Sequence, residues 1–581
     1  MATPSDPRHT AAGLPGNAVL IALALVVGTA SAYASLALLW LIVQVQGVFL
    51  GFEHTHVYSG AARLDTLRVL LAPVLGGLAV GIFVRLFVPG ARNHGPADAM
   101  QAVREGDGHM SLRAGVSSAV ASALAIGSGA SLGRYGPAVH LGASVAAWIG
   151  TALGRVRGER HMLIGCGVAA AISASFSAPL AGVLFAHEVM LDSYARRGFV
   201  AITIASVTGQ VVARAHDARF VLVSLSEYKI GYNHEYLLLA FVGVCGGLLA
   251  ITFIRGLEWA GLAAARVRVP GWIKPAIAGL VVGALATRYP QLLGLGDEAI
   301  HDAVGQLFAL PLLLTLLAAK LLAACLCRGF GFPGGVFGPA LFLGAMLGSA
   351  VGQALQWLDP ALVSSVPIYA AAGMGAVISC VIGAPITTIL IMFELTGSYA
   401  LTTAVMIAVV LASVTASRLL PYSWFSLQLM RRGVDMRAGR EVRIMRVRQV
   451  GDLVTAAPGV IAPTASTWQA RELLLALQAG ELLVVDWHGV LRGQVLLAEV
   501  VQACDAGRGT RPVAALAAMP GIVLRRDDTL DSAMRQLRYF MGHSVPVVDS
   551  AQTMRLAGVV FQSSVIGAYN DAVAQARAEL N

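Results

Sequence analysis

The chain carries the motif Gly-Arg-Tyr-Gly-Pro at residues 133–137 and repeats it as Gly-Val-Phe-Gly-Pro at residues 335–339, an offset of 202 residues. A second pair of matches follows each motif. Ala178-Pro179 returns as Ala384-Pro385, and a glutamate stands nine residues after each proline, an offset of 206 residues. Matches in the same order at nearly constant offset indicate that a unit of about 200 residues is duplicated, as in many membrane transporters.

The residue types in the repeated motif favour a site for a small anion. Pro137 and Pro339 suit the first turn of a helix, where a missing N–H costs nothing. The glycines before them let backbone approach a ligand closely. Helix N-termini directed at one point present free N–H groups and the positive end of the helix dipole. The alternative is that these glycines only pack helices together through small residues.

The composition is that of a membrane protein over most of the chain. Hydrophobic residues make up 57% and charged residues 13%, against about 25% charged in average globular chains. Uncharged stretches run over residues 17–50, 236–254, 329–358, 360–393 and 395–417. Since a spanning helix needs about 20 apolar residues, these stretches predict membrane helices, the first at residues 17–50.

The net charge of +9 does not indicate a nucleic-acid partner. Its arginines gather after the last long apolar stretch, where positive charge marks the cytoplasmic flank of a membrane segment. The alternative function of this cluster is to bind anionic lipid or to concentrate anions. Its members are Arg418, Arg431, Arg432, Arg437, Arg440, Arg443, Arg446 and Arg448.

Beyond about residue 440 the composition becomes mixed, and a second repeat begins. Leu483-Val484-Val485-Asp486 is matched by Val545 to Asp549, and a helical pattern precedes each. The order strand, helix, strand, turn, strand, helix recurs after about 63–65 residues. The sequence therefore predicts an all-α membrane domain of two repeats followed by an α/β tail.

These motifs resemble the CLC family of chloride channels and transporters over roughly residues 17–436. The Gly-Gly-x-Phe-x-Pro stretch at 334–339 is a family signature, and Ala-Pro-Leu-Ala-Gly at 178–182 is a further match. The resemblance implies a homodimer, inverted repeats at about 67–215 and 272–430, and one anion pathway per subunit. It assigns to the pore Gly133, Arg134, Gly136, Pro137, Gly334, Gly335, Gly338 and Pro339.

The tail, residues 437–581, resembles a pair of CBS modules at about 446–505 and 511–571. In such pairs an aspartate often holds the ribose of an adenine nucleotide. The aligned positions carry Glu499 and Ser564, and the neighbouring threonine positions carry Leu496 and Phe561. We therefore expect a structural or dimerising tail and no nucleotide cofactor.

Two departures from the family concern the positions at which its exchangers carry a proton. Where the family has a gating glutamate the chain has Tyr135, whose phenol, with a reference pKa of about 10, is neutral at working pH. The alternative is that Tyr135 only fills space. The inner proton-relay position aligns with Val189, one residue after Glu188, and valine cannot titrate. Both proton-carrier positions are therefore predicted to be lost.

Other positions that the resemblance assigns to anion binding are also altered. Asn93 replaces a serine and keeps N–H donors, and Phe425 replaces a tyrosine. With Tyr135 and the backbone at Val336 and Phe337, these are the predicted anion contacts. Glu188, Glu394, His94, His140 and His187 are interpreted as structural polar residues, whereas Lys320 could mark an ion path or pair with a neighbour.

The resulting hypothesis is a passive chloride or small-anion channel, or an uncoupled transporter. It lies in membrane lipid, in a bacterial inner membrane, with residues 1–16 and the tail in the cytoplasm. The alternatives are a proton-coupled chloride antiporter and a conduction-silent scaffold with a regulatory CBS pair. No catalytic constellation, metal site or cofactor is predicted, and chloride is the expected ligand.

Overall fold

A computed structural model describes residues 17–578, apart from 54–55, 105–107, 156, 192–195, 217–229, 435–444, 446–447, 541 and 543. Contacts divide the chain into two compact units, Met1–Met436 and Arg437–Asn581. This boundary lies where the composition changes. The predicted N-terminal tail at 1–16, and Arg437, Arg440, Arg443 and Arg446 of the basic cluster, lie outside the described residues.

The regular secondary structure described in the first unit is helical, apart from an isolated β-bridge between Gly133 and Gly335, and the predicted first membrane helix forms over Asn17–Leu50. The segment Ala186–Leu191 is π-helical, and short 3₁₀ turns occur at Pro89–Ala91, Pro290–Leu292 and Pro360–Leu362. The other helices are Val57–Ala61, Thr66–Phe87, Pro96–Arg104, Leu112–Gly127, Tyr135–Ala152, Arg157–Phe176, Pro179–Phe185, Arg196–Ala215, Glu235–Arg266, Lys274–Ala286, Asp297–Val304, Leu310–Gly329, Phe337–Leu358, Val366–Ile382, Pro385–Thr396, Tyr399–Leu419 and Trp424–Arg431.

Within the described part of the chain, seven segments are long and apolar enough to cross a membrane. They are Ala18–Leu50, Thr66–Phe87, Gly198–Ala215, Glu235–Arg266, Leu310–Gly329, Phe337–Leu358 and Tyr399–Arg431. Several apolar helices between them are shorter, and Val366–Ile382 is buried along its whole length. Such a helix is shielded by protein and need not span the bilayer alone.

The duplication is visible in how the helices pack. The helix Tyr135–Ala152 lies against Arg157–Phe176, and Phe337–Leu358 lies against Val366–Ile382. A Cβ atom on Gly142 would lie 2.6 Å from the carbonyl oxygen of Gly167, and one on Gly344 would lie 2.4 Å from that of Gly373. These contacts repeat the sequence offsets of 202 and 206 residues. Each half therefore needs glycine at the same helix crossing.

The second unit has the α/β order predicted for the tail. Strands Val460–Ile461, Glu481–Val485 and Leu491–Leu496 form one three-stranded sheet, and Leu524–Arg525, Ser544–Val548 and Leu556–Phe561 form another. In both, the first strand is parallel and the third antiparallel to the central strand. The helices are Thr467–Leu477, Leu497–Asp505, Leu530–Gln536 and Gln562–Ala578, with 3₁₀ turns at Val450–Leu453, Val513–Ala515 and Leu537–Tyr539.

Candidate functional site

The two copies of the repeated motif meet in space. Gly133 donates its N–H to the carbonyl oxygen of Gly335 at 2.8 Å, and Gly335 donates to that of Gly133 at 2.7 Å. Two residues after each glycine a helix begins, at Tyr135 and at Phe337. The first N–H groups of a helix have no partner within it, and the dipole is positive there. The reciprocal bonds therefore bring two positive helix ends together.

Glycine is required at this meeting point because backbone lies against backbone. A Cβ atom on Gly335 would lie 2.9 Å from the nitrogen of Gly136 and 3.1 Å from the carbonyl oxygen of Gly133. One on Gly133 would lie 2.8 Å from the nitrogen of Gly338. Backbone atoms cannot move aside as a flexible side chain can, so the glycines of the motif hold the two helix ends at this separation.

Three aromatic rings lie beside the two helix ends. Tyr135 stacks on Phe176 with ring centroids 3.9 Å apart and planes inclined by 16°. Phe337 is tilted against both, with centroids 5.1 Å from Tyr135 and 4.8 Å from Phe176. All three side chains are buried. We call Tyr135, Phe176 and Phe337 the aromatic constriction.

A small cavity adjoins the aromatic constriction and includes most of the predicted anion contacts. Its volume is about 10 Å³, close to the smallest cavity that holds one water molecule. The lining residues are Pro96, Tyr135, Gly136, Val139, Ile172, Phe185, Val336, Phe337 and Phe425. The structure thus brings together Tyr135, Val336, Phe337 and Phe425, at a point too narrow for an anion to pass without movement of a side chain.

Asn93, the other predicted anion contact, does not line this cavity. Its side-chain amide donates instead to the carbonyl oxygen of Gly331 at 3.0 Å. That bond ties the loop before the helix Pro96–Arg104 to the loop that leads into residues 334–339. Asn93 therefore supports the walls of the site in this conformation, and at least one of its N–H groups is not directed at an anion.

The predicted proton-relay position is apolar and enclosed. Val189 lies in the π-helical segment Ala186–Leu191 and is buried in the core. π-Helical turns are frequent at functional sites, but valine has no proton to exchange. The neighbouring carboxylate, Glu188, accepts hydrogen bonds from the N–H groups of Ile386 and Thr387, at 3.1 and 2.8 Å. Glu188 therefore caps another helix.

The second repeat contributes an equivalent helix cap to the first. Glu394 accepts hydrogen bonds from the N–H groups of Leu180 and Ala181 at 2.9 and 2.8 Å, at the start of the helix Pro179–Phe185. Each glutamate thus caps the short helix that begins after the Ala-Pro of the opposite repeat. The structural role expected for Glu188 and Glu394 agrees with these bonds, which satisfy helix N–H groups that would otherwise lack partners.

Removing one of these caps should lower stability. We expect Glu188→Ala and Glu394→Ala each to destabilise the membrane unit by about 1–2 kcal/mol, the usual cost of a lost N-terminal cap. Glu188→Gln keeps an acceptor and should lose less. Thermal unfolding of the purified protein in detergent measures the effect. Glu53→Ala, which removes a carboxylate outside the described helices, is the control, and equal stability of all four variants would contradict the capping role.

A second, much larger cavity has a volume of about 690 Å³. Arg134, the residue before Tyr135, lines it together with Asp297, Glu298 and Asp302. Tyr58 also lines it and donates its phenol O–H to Asp302. Burial, with this hydrogen bond and the charge of Asp302, raises the pKa of the Tyr58 phenol. Consecutive residues, Arg134 and Tyr135, thus line the wide cavity and the narrow one.

The remaining polar residues singled out in the sequence contact neighbouring backbone or aromatic rings in the protein interior. Lys320 donates to the carbonyl oxygens of Leu292 and Gly294 at 3.2 and 3.3 Å, and it lies over the ring of Phe342. Lys320 therefore pairs with neighbours. His187 stacks on Phe199, whereas His140 stacks on His94.

Sequence reasoning missed several residues that form the site. Phe176, Ile172, Phe185, Pro96 and Val139 are apolar and have no distinctive motif of their own. One signal was available for Phe176, which stands two residues before the duplicated Ala178-Pro179. The duplication of that dipeptide, in register with the repeated glycine motif, could have directed attention to the residues that precede it.

Comparison with known proteins agrees with this geometry. Residues 76–417 match the family model described as voltage gated chloride channel. The chain is 31% identical over 404 residues to the voltage-gated ClC-type chloride channel ClcB of Escherichia coli (strain SMS-3-5 / SECEC), covering 68% of this chain and 95% of that protein.

Solved structures have the same fold. A slow cyanobacterial Cl⁻/H⁺ antiporter superposes with a TM-score of 0.65 at 22% identity, covering 73% of this chain and all of that one. A eukaryotic CLC transporter superposes with a TM-score of 0.63 at 19% identity, covering 94% of this chain and 97% of that one. The chain is an integral membrane protein and belongs to the voltage-gated chloride channel (CLC) family.

Proposed function

We propose that the protein conducts chloride or other small anions passively, without exchanging them for protons. The observation that carries this proposal is the chemistry of the two proton-carrier positions. Tyr135 stands at the helix ends where the family has its gating glutamate, and Val189 is buried where the family's exchangers have a second carboxylate. Neither side chain can carry a proton in the way that a carboxylate does near neutral pH.

The geometry supports an anion pathway between the two repeats. An anion that loses water in the protein interior must gain compensating donors, because an uncompensated buried charge costs many kcal/mol. The helices that begin at Tyr135 and Phe337 present N–H groups that have no partner within the helix, together with positive dipole ends. Residues at both helix ends line the small cavity beside the aromatic constriction. In our proposal, Tyr135 is the side chain of that constriction that moves to let an anion pass.

The curated relative favours a channel over an exchanger. The E. coli protein at 31% identity is named as a chloride channel. The antiporter structure, at 22% identity, shares the fold, which does not by itself decide how transport is coupled. Glu188 is engaged as a helix cap, so its carboxylate is a poor substitute for the missing carboxylate at Val189.

Anion efflux from reconstituted liposomes tests this proposal. Vesicles loaded with chloride and made permeable to K⁺ should lose chloride rapidly when the full-length protein is present. Protein-free vesicles and vesicles with heat-unfolded protein are the controls. Efflux no faster than in these controls would favour the alternative of a conduction-silent scaffold.

Assembly and placement are also part of the proposal. Membrane proteins of this family are expected to be homodimers with one pathway per subunit. The arginines after the last membrane helix, among them Arg431 and Arg432, favour a cytoplasmic position for the tail. Together with the bacterial relative, this supports a bacterial inner membrane. Crosslinking in native membranes would test the dimer, and protease access to the tail would test its orientation.

The tail should bind ATP or AMP weakly or not at all. Ser564 and Phe561 stand where a nucleotide-binding CBS module has its aspartate and threonine, and the carboxylate of Glu499 is exposed and caps its own helix. Calorimetry on the full-length protein is expected to show no micromolar binding. A micromolar dissociation constant, about 8 kcal/mol of binding free energy, would overturn the expectation of a structural tail.

A further inference from the structure

Three side chains with metal-binding chemistry meet next to residues that line the small cavity. Two of them are four positions apart, and the third follows 42 positions later. His94, Asp98 and His140 each place a ligand atom within 4.8 Å of the other two. The imidazole rings of His94 and His140 are stacked, with centroids 5.8 Å apart and planes inclined by 18°. We call these three residues the His94 cluster.

The hydrogen bonds of His94 fix the direction of its free lone pair. Its Nε2 lies 3.0 Å from the carbonyl oxygen of Pro89. A carbonyl only accepts, so Nε2 carries the proton, and in the neutral ring Nδ1 has a lone pair. Nδ1 lies 3.4 Å from Oδ1 of Asp98. Two electron-rich atoms thus face each other, an arrangement that a proton or a cation between them would stabilise.

A hydrogen bond like the one from Nε2 of His94 to Pro89 also orients histidine side chains in metal sites. A ligating imidazole usually donates its other N–H to a carboxylate or a backbone carbonyl, which fixes the tautomer. Asp98 is oriented as well, because its Oδ2 accepts the N–H of Gly95 at 2.9 Å. These contacts orient both side chains so that Nδ1 of His94 and Oδ1 of Asp98 face each other.

His140 provides a second observation that indicates a ligand, and this observation is independent of the contacts of His94. Its side chain is 2% exposed, and its Nδ1 is buried without a hydrogen-bond partner. Leaving a buried polar atom unpaired costs about 1–3 kcal/mol. A ligand that binds between the rings would remove that cost.

The charges around Asp98 set a condition on any cation. Arg92 and Arg432 lie 2.8 and 3.2 Å from its Oδ1. The side chain of Arg92 is 52% exposed and that of Arg432 is 27% exposed, so both can move into solvent at small cost. These two arginines, together with Arg328, whose charge also acts on Asp98, weaken the site for a hard cation held by charge alone. They weaken it less for a transition-metal ion that bonds to imidazole nitrogen.

We propose that His94, Asp98 and His140 form a binding site for a divalent transition-metal ion of the zinc class. Two neutral imidazoles and one carboxylate, with water in the remaining position, are a ligand set that Zn²⁺ accepts. Binding should displace one or both arginines from Asp98.

Because the site lies next to the small cavity, we expect a bound ion to affect anion conduction. This expectation rests on the proposed function. Pro96, between His94 and Asp98, and Val139, next to His140, both line the small cavity. An ion held by the His94 cluster would tie the helix Pro96–Arg104 to the helix Tyr135–Ala152. Because the cavity is too narrow for an anion at rest, this tie should slow the movement that lets anions pass.

The binding test uses the full-length protein in detergent and Zn²⁺ alone. We expect one Zn²⁺ per chain, with affinity at least tenfold weaker in His94→Ala and in His140→Ala. His488→Ala, which removes an exposed histidine in the tail, is the matched control and should bind like the parent. Absence of stoichiometric binding, or equal affinity in both cluster variants and the control, would overturn the site.

Two further measurements keep the test decisive if an alanine variant does not fold. His140→Asn keeps a polar side chain at this buried position and should still lose affinity. In the unmodified protein, Co²⁺ should give visible absorption bands of nitrogen and oxygen coordination that Zn²⁺ removes. No such bands would mean that a proton, not a metal ion, lies between His94 and Asp98. Zn²⁺ binding without slower chloride efflux would refute only the effect on conduction.

Discussion

Tyr135→Ala is expected to raise passive chloride flux by about tenfold, equivalent to about 1.4 kcal/mol off the barrier. The ring of Tyr135 stacks on Phe176 at 3.9 Å and lies 5.1 Å from Phe337. The adjoining cavity of about 10 Å³ leaves no free path for an anion. Truncation removes the ring that two others hold in place, so the narrowest point widens.

Tyr135→Phe separates the ring from the hydroxyl. If the ring acts only as a steric gate, phenylalanine should conduct like tyrosine. If the hydroxyl also binds the anion, its loss should weaken binding by up to about 1.5–3 kcal/mol, the range for a hydrogen bond to a charged group. We expect a mixture in which the steric part is larger, so flux stays close to that of the parent while anion affinity falls.

A tyrosine outside the site provides the control for both variants. Tyr399 also begins a helix, Tyr399–Leu419, but its side chain is 79% exposed. Tyr399→Ala should therefore leave flux and affinity unchanged. If Tyr135→Ala and Tyr135→Phe were equally silent, Tyr135 would be a packing residue and the gate would lie elsewhere.

Gly335→Ala is expected to abolish most chloride flux. The new Cβ would lie 2.9 Å from the nitrogen of Gly136 and 3.1 Å from the oxygen of Gly133. Overpacking of this kind costs about 1–3 kcal/mol, and the strain falls on the two hydrogen bonds that join the helix ends. Their separation should break the alignment of N–H groups on which anion binding depends.

The measurement pairs efflux with thermal stability, so that lost function is not confused with lost protein. Gly271→Ala is the matched control, since a Cβ at Gly271 has no neighbour within 4 Å. The variant at Gly335 should remain folded with a lower melting temperature and little flux, and the control should match the parent. Normal flux through Gly335→Ala would show that the contact between the helix ends is dispensable.

The sequence was informative where identical residues recur. The repeated glycines predicted that two helix starts serve one site, and Gly133 and Gly335 are hydrogen-bonded to each other. The uncharged stretch at 17–50 predicted a helix with those bounds. In the tail, alternating strand and helix patterns predicted an order that the two sheets follow. Each prediction relied on periodicity or repetition, which a linear sequence records directly.

The sequence was uninformative where a contact joins distant residues that have no shared motif. Phe176 reaches Tyr135 because the helix Arg157–Phe176 ends beside the motif, and nothing in its own neighbours specifies that. The amide of Asn93 donates to the carbonyl oxygen of Gly331, a contact between loops that are far apart in sequence. His94 and His140, 46 positions apart in the numbering, become neighbours only when the loop before Pro96 packs near the helix Tyr135–Ala152. Tertiary packing decides all three.

Simultaneous recording of chloride and pH in proteoliposomes tests the absence of proton coupling most directly. A chloride gradient is imposed across vesicles that contain the protein, with K⁺ permeability provided to carry the balancing charge. We predict chloride movement with no accompanying proton movement above that of protein-free vesicles, because Tyr135 and Val189 provide no carboxylate at the two proton-carrier positions. Protons driven uphill by the chloride gradient, in fixed proportion to chloride and reversing when the gradient reverses, would contradict the account.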